Sequence, residues 1–328
     1  MRLIGVEEHW CPRELFEQEG APGYESMRSV KAIFSKEQYE KASRSVSDIG
    51  EGRLQMMDAV GLDMQVLSLC SANMEVLPPD SARHYSKLSN DILADGIKKH
   101  PDRLCGLAAL PTCVPDEAAK ELERCKGLGG LVGAIVNGHI NGHYLDEPQF
   151  EPILETAESL NMPIYIHPAL PPKPILDTYY NYNVADPYAQ SVLVSGGWGW
   201  HIETGVHVLR LIASGAFDRH PELKVVVGHL GEGLPFFMNR LYNATKGNLK
   251  RPYPEYLKEN IYYSIAGFHD PDLLAFVLKK VGEDHILFST DFPFNPPAEA
   301  TAFLRQVDID QTARKKISHG NAEKLFQL

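Results

Sequence analysis

The chain has 328 residues, 44% of them hydrophobic and 23% charged, with 32 Lys and Arg against 43 Asp and Glu for a formal net charge of −11. This is ordinary globular composition, which excludes a disordered chain, a collagen-like repeat and a small disulfide-stapled scaffold. The acidic balance, with no long run of Lys or Arg, argues against nucleic acid as a partner, because phosphate binding needs clustered cations. A small anionic substrate stays possible, since one Arg or one metal ion can hold it locally.

The five cysteines, Cys11, Cys70, Cys105, Cys113 and Cys125, form no CxxC pair. They read as reduced, mostly buried thiols. The opening MRLIGVEEHWCPRE has carboxylates by position 7 and so lacks the apolar core of a secretory signal. No apolar run approaches the ~18 residues of a membrane helix. These features lead us to expect a cytoplasmic protein with no membrane partner.

Short β-rich runs recur along the chain at 2–9, 64–69, 103–110, 130–137, 163–167, 223–229, 260–265 and 285–290. Helical patterns lie between them. In 81–100, Tyr85, Leu88, Ile92, Leu93 and Ile97 recur at helical spacing, with Asp80 or Ser81 placed to cap. VPDEAAKELERC opens a helix at Pro115, followed by two acids. HVLRLIASG predicts a helix that stops at Gly215. Strands alternating with helices over the whole length predict an α/β protein, a single-domain (β/α)8 TIM barrel spanning 1–328. A doubly wound sheet competes, but no GxGxxG follows the first strand.

Two connections are long, 10–48 after the first strand and 168–200 after the fifth. Loops that follow barrel strands lie on the catalytic face. The second loop carries Tyr179, Tyr180, Tyr182, Trp198 and Trp200, which either roof a flat substrate or pack a subunit interface.

Polar residues gather at the predicted C-terminal strand ends. Residues two apart in a strand share a face, so Glu7 and His9 point together and Glu8 points away. His167 ends the fifth strand, His229 ends the sixth, and Asp291 follows the eighth. Each alone has a structural explanation, as a hydrogen-bonded histidine or a solvated acid. Together in one ring they point to a divalent metal, with Glu7, His9, His167 and Asp291 as ligands and positions left for water or substrate. Neutral nitrogen with hard oxygen suits Zn²⁺ or Mn²⁺, and two carboxylates balance the ion's charge. In GHLGEG, Glu232 lies three residues after His229 and can orient it as an acid–base dyad. Three patterns carry less weight. Glu203 and His207 lack the second histidine of HExxH. His139 and His143 fall in a Gly/Asn-rich loop. Arg240 could bind a substrate carboxylate, bridge subunits or make a surface salt bridge.

EEHW (7–10), YIHP (165–168), the stretch from Glu203 to Asp218, VVGHLGEGLP (226–235), LFSTDFPF (287–294) and NAEKLF (321–326) resemble the amidohydrolase-related metal-dependent decarboxylases. The resemblance spans nearly the whole chain in motif order. It is strongest to the γ-resorcylate, 2,3-dihydroxybenzoate and salicylate decarboxylase type. It implies a (β/α)8 carboxy-lyase using one divalent metal ion, Mn or Zn, and no organic cofactor. The family's metal ligands fall on Glu7, His9, His167 and Asp291, and its acid–base histidine and partner acid on His229 and Glu232.

The substrate implied is a small ortho-hydroxy aromatic carboxylic acid, with Asp291 as proton donor to the ring carbon. A homodimer or homotetramer is implied as well. The E-x-H start separates the chain from H-x-H relatives, and from carboxyvanillate decarboxylases that begin E-E-A. NGHINGHYLDEPQFEPI (137–153) nevertheless resembles that carboxyvanillate group, so two substrates stay in view. RLY at 240–242 departs from the family pattern and leaves the role of Arg240 open. A metal-dependent lactonase or a hydratase is the alternative activity, because the same ion can activate water.

Overall fold

The computed structural model describes residues 1–17, 21–22, 36–70, 74–183, 185–242 and 247–328. Eight parallel strands lie in sequence order: β1 (Ile4–Trp10), β2 (Met64–Leu69), β3 (Leu104–Ala109), β4 (Leu131–Asn137), β5 (Ile164–His167), β6 (Val225–Val227), β7 (Ile261–Ser264) and β8 (Ile286–Leu287). The amide of Val6 donates to Phe288 O at 3.1 Å and that of Asp291 to Glu7 O at 3.2 Å, which joins the chain around β8 back to β1. The expected (β/α)8 barrel is therefore present. Helices cover its outside, so the strands are buried on both faces and rich in Val, Ile and Leu.

The main helices, in order, are α1 (Lys36–Ser47), α2 (Glu51–Val60), α3 (Pro79–Lys99), α4 (Pro115–Leu128), α5 (Glu151–Ser159), α6 (Gly199–Ala213), α7 (Leu234–Tyr242), α8 (Tyr253–Glu259), α9 (Pro271–Val281) and α10 (Pro297–Gln306). Helix α4 opens on Pro115 with Asp116 and Glu117 in its first turn, as its sequence predicts. The chain turns after α6 at Gly215, where φ is 73°.

Other boundaries differ from expectation. Neither Asp80 nor Ser81 caps α3. Its N-cap is Pro78 and Pro79 takes the first turn, where a missing N–H costs nothing, while Asp80 pairs with Arg83 at 2.8 Å. Strands β6 and β8 are shorter than their apolar runs, because the chain turns soon after each. His229 and Asp291 adopt φ of 53° and 59° and so lie beyond the strands. Much of the long segment 10–48 falls outside the described residues. All five thiols are free, and four of them are buried.

Candidate metal centre and acid–base cluster

At the C-terminal end of the barrel, Glu7, His9 and His167 each offer one ligand atom, and these atoms lie within 4.8 Å of one another. Strand alternation accounts for the first two. Glu7 and His9 face the mouth and Glu8 faces back between the strands. Glu7 Oε2 accepts the hydroxyls of Tyr165 and, at 3.0 Å, Ser264. Glu7 Oε1 has no hydrogen-bond partner, although it is buried 3.4 Å from His167 Nε2 and 3.9 Å from His229 Nε2. His9 Nδ1 meets Ser68 Oγ at 3.2 Å, and His9 Nε2 meets Asp291 Oδ1 at 3.1 Å. The Asn295 amide donates to the other Asp291 oxygen.

Of the sequence-predicted ligand set, Glu7, His9 and His167 form one cluster, and Asp291 meets it through His9 Nε2. Burial raises the Glu7 carboxyl above its usual range, opposed by His229. Burial also keeps His167 well below the usual imidazole range, helped by His9 and His229, so its ring is neutral. A neutral imidazole and a carboxylate oxygen with no hydrogen bond are the donors a divalent cation takes. The residues present fit such an ion.

Close packing on the β6 side serves the same site. A Cβ placed on Gly228 would come within 2.8 Å of Glu7 Oε2, so this glycine gives the carboxylate its room. Behind β1, Glu8 is fully buried. It accepts Gln65 Nε2 at 2.8 Å, Thr290 Oγ1 at 2.6 Å and the Thr290 amide at 2.8 Å. Gln65 in turn accepts Arg53 of α2 at 3.1 Å, and Arg53 also donates to the His9 carbonyl at 2.7 Å. This buried chain fixes the backbone that carries the mouth-facing pair.

His229 and Glu232, expected from the sequence to form an acid–base pair, also meet. His229 Nδ1 lies 2.7 Å from Glu232 Oε1. His229, Leu230, Gly231, Glu232 and Gly233 all have positive φ, between 53° and 95°. Each non-glycine held there costs about 1–3 kcal/mol, so the turn is kept by its surroundings. Burial works against the His229 cation, yet the Glu232 and Glu7 carboxylates beside it raise its pKa to about 10. Burial likewise opposes the Glu232 anion, but His229 and His201 hold its carboxyl below the usual range.

Other candidates fall elsewhere. Glu203 binds the Tyr144 hydroxyl, and His207 Nε2 accepts the Leu145 amide at 3.1 Å. Both therefore tie α6 to the segment after β4. His139 accepts the Gly142 amide at 3.0 Å, and His143 pairs with Glu147 at 2.7 Å, so both order their own loop. Arg240 is exposed on the last turn of α7, and no contact among the described residues links it to the cluster. Of the aromatics after β5, Tyr179, Tyr182 and Trp198 are exposed and Tyr180 is buried.

The sequence reading missed Tyr165, Ser264 and His201. The signal for Tyr165 was available, since it stands two residues before His167 and shares its face of β5. His201 reaches Glu232 from the far end of the long segment after β5, and no local periodicity marks it.

An amidohydrolase family model matches residues 39–328. The chain belongs to the amidohydrolase family. A γ-resorcylate decarboxylase of Polaromonas sp. is 35% identical, over 99% of this chain and 98% of that protein. A solved dihydroxybenzoic acid decarboxylase from Polaromonas, with bound manganese and the inhibitor 2-nitroresorcinol, is 34% identical. It superposes with a TM-score of 0.88 over 100% of this chain and 97% of its own. A 5-carboxyvanillate decarboxylase from Novosphingobium aromaticivorans, complexed with manganese and 4-hydroxy-3-methoxy-5-nitrobenzoic acid, is 30% identical. Its TM-score is 0.89, over 100% of this chain and 96% of its own.

Proposed function

We propose that this amidohydrolase is a metal-dependent carboxy-lyase that removes CO2, without oxidation, from a small aromatic acid bearing a hydroxyl ortho to its carboxylate. The observation that carries the reading is the convergence of Glu7, His9, His167 and Asp291 on one buried mouth beside the His229–Glu232 pair. Relatives similar along the whole chain, named as hydroxybenzoate decarboxylases, support the reaction class.

One divalent ion would be held by Glu7, His9, His167 and Asp291. When bound, it supplies positive charge that gathers and orients the substrate's carboxylate and neighbouring oxygen. Manganese in the relatives' sites supports Mn²⁺, and Zn²⁺ is the competitor by affinity.

Asp291 then gives a proton to the ring carbon that bears the carboxylate. The bond from that carbon to the carboxylate breaks, its electron pair restores the aromatic ring, and CO2 departs. Asp291 is left as the anion and regains its proton from solvent, so each turnover consumes one proton. The Asn295 side chain donates to one Asp291 oxygen and orients the carboxyl for this transfer. His229, held by Glu232 on its Nδ1, turns Nε2 toward Glu7 and so offers a polar group beside the substrate's place. The homodimer or homotetramer implied by the family resemblance belongs to the same reading, and sedimentation velocity checks it.

Asp291→Asn tests the proton donor. The variant should bind metal and substrate but lose about 10²–10⁴-fold in decarboxylation rate, the range for a general acid. Near wild-type turnover would remove Asp291 from that role.

A further inference from the structure

Glu232 is held from two sides. His229 Nδ1 meets Oε1 at 2.7 Å, and His201 Nδ1 meets Oε2 at 2.5 Å. The two imidazoles lie edge to face with centroids 4.6 Å apart. Phe268 packs against both rings, 5.8 Å from His201 and 5.7 Å from His229. Glu232 is buried and its carboxylate only accepts, so each histidine carries its proton on Nδ1.

The far side of His201 is also defined. Its Nε2 lies 3.2 Å from the Trp200 indole nitrogen and 2.9 Å from Gly196 O. The indole N–H only donates and the Gly196 carbonyl only accepts, so Nε2 can engage one of the two at a time. His201 stands in the first turn of α6, at the end of the long segment after β5. That segment therefore reaches the acid–base pair through one imidazole.

We propose that His201 is a positioning residue for His229. By occupying Oε2 it stops the Glu232 carboxylate from rotating and keeps Oε1 on His229 Nδ1. The His229 ring is thereby fixed with Nε2 on the Glu7 side of the mouth. No hydrogen bond among the described residues joins His201 to Glu7, His9, His167 or Asp291, so its hydrogen-bonded path to His229 runs through Glu232. The kinetic consequence rests on the decarboxylase reading; the geometric one does not.

The test compares His201→Phe, which keeps ring bulk and loses the donor, with His201→Asn, whose amide nitrogen can replace Nδ1. On manganese-loaded enzyme, H201F should lose about 10–100-fold in kcat, as partners of site residues typically do, with KM changed less than about threefold. H201N should regain most of that loss. Turnover-independent evidence comes from the downfield proton resonance of His229 Nδ1–H in zinc-loaded protein, assigned by its loss in His229→Phe. It should shift in H201F and return in H201N. Wild-type kcat in H201F, equal impairment in both variants, or an unmoved resonance would overturn the proposal. If the wild-type enzyme releases no CO2 from any ortho-hydroxybenzoate, the decarboxylase reading falls, while the resonance still decides the role of His201.

Discussion

Glu7 Oε1 sits 3.4 Å from His167 Nε2 and takes no hydrogen bond, while its sister oxygen Oε2 takes hydroxyls from both Tyr165 and Ser264. One carboxylate is thus divided between holding its own orientation and presenting a bare, buried acceptor. A polar atom buried without a partner is costly unless something compensates it, and the proposed divalent cation would do so. Glu7→Gln removes the anion and turns a donor or a weaker acceptor toward the imidazoles. The variant should fold, judged by circular dichroism. After dialysis it should keep far less manganese than wild type, a loss beyond the ~10–100-fold seen when an outer partner is removed. Full metal content in the variant would contradict the ligand role of Glu7.

Tyr165→Phe probes the other oxygen. The ring stays to fill its buried place, and Ser264 still donates at 3.0 Å, so Glu7 loses one of two anchors. Metal affinity or kcat should fall about 10–100-fold with little change in thermal midpoint. A variant equal to wild type in both would show that Ser264 alone suffices.

A pH effect is expected from a buried acid that is not one of the proposed metal ligands. The Glu75 carboxyl is buried and accepts the Asn137 amide at 2.7 Å, while Glu75 Oε2 and Asn137 Oδ1 have no partners. Burial raises this carboxyl from 4.5 to about 7, against the Asn137 hydrogen bonds that lower it. Between those values the folded chain keeps a proton that the unfolded chain has released. Stability therefore falls as pH rises through that window, by an amount on the order of 3 kcal/mol once complete. Glu75→Gln cannot titrate. Its thermal midpoint relative to wild type should rise between pH about 5 and pH about 8. Parallel curves for the two proteins would contradict the buried-acid account.

The barrel was legible in the sequence because apolar runs of strand length alternate with helical periodicity, a pattern local to each segment. Glu7 and His9 were legible for the same reason, since alternation alone places them on one face. His167 was readable as the last residue of an apolar run. Glu8 was only half legible. Alternation turned it away from the mouth, but its burial depends on Gln65 and Arg53, which come from β2 and α2. His201 was not legible, because its path runs through a long irregular segment whose course is set by tertiary packing. The glycines of GHLGEG allow a tight turn, but the positive φ at His229 itself was not legible. A non-glycine residue at positive φ is against local preference and is imposed by the structure around it. Arg240, readable as an anion binder or a subunit bridge, lies exposed on the last turn of α7, apart from this chain's own cluster.

The central claim is tested most directly by product analysis in D2O. Manganese-loaded enzyme would be offered 2,6-dihydroxybenzoate, 2,3-dihydroxybenzoate, salicylate and 5-carboxyvanillate, and followed by NMR. The account predicts loss of the carboxylate from at least one of them, with one deuteron at the vacated ring carbon and CO2 released. It is contradicted if metal is bound and no member of the panel loses its carboxylate, or if the enzyme instead adds water to a lactone or an unsaturated acid.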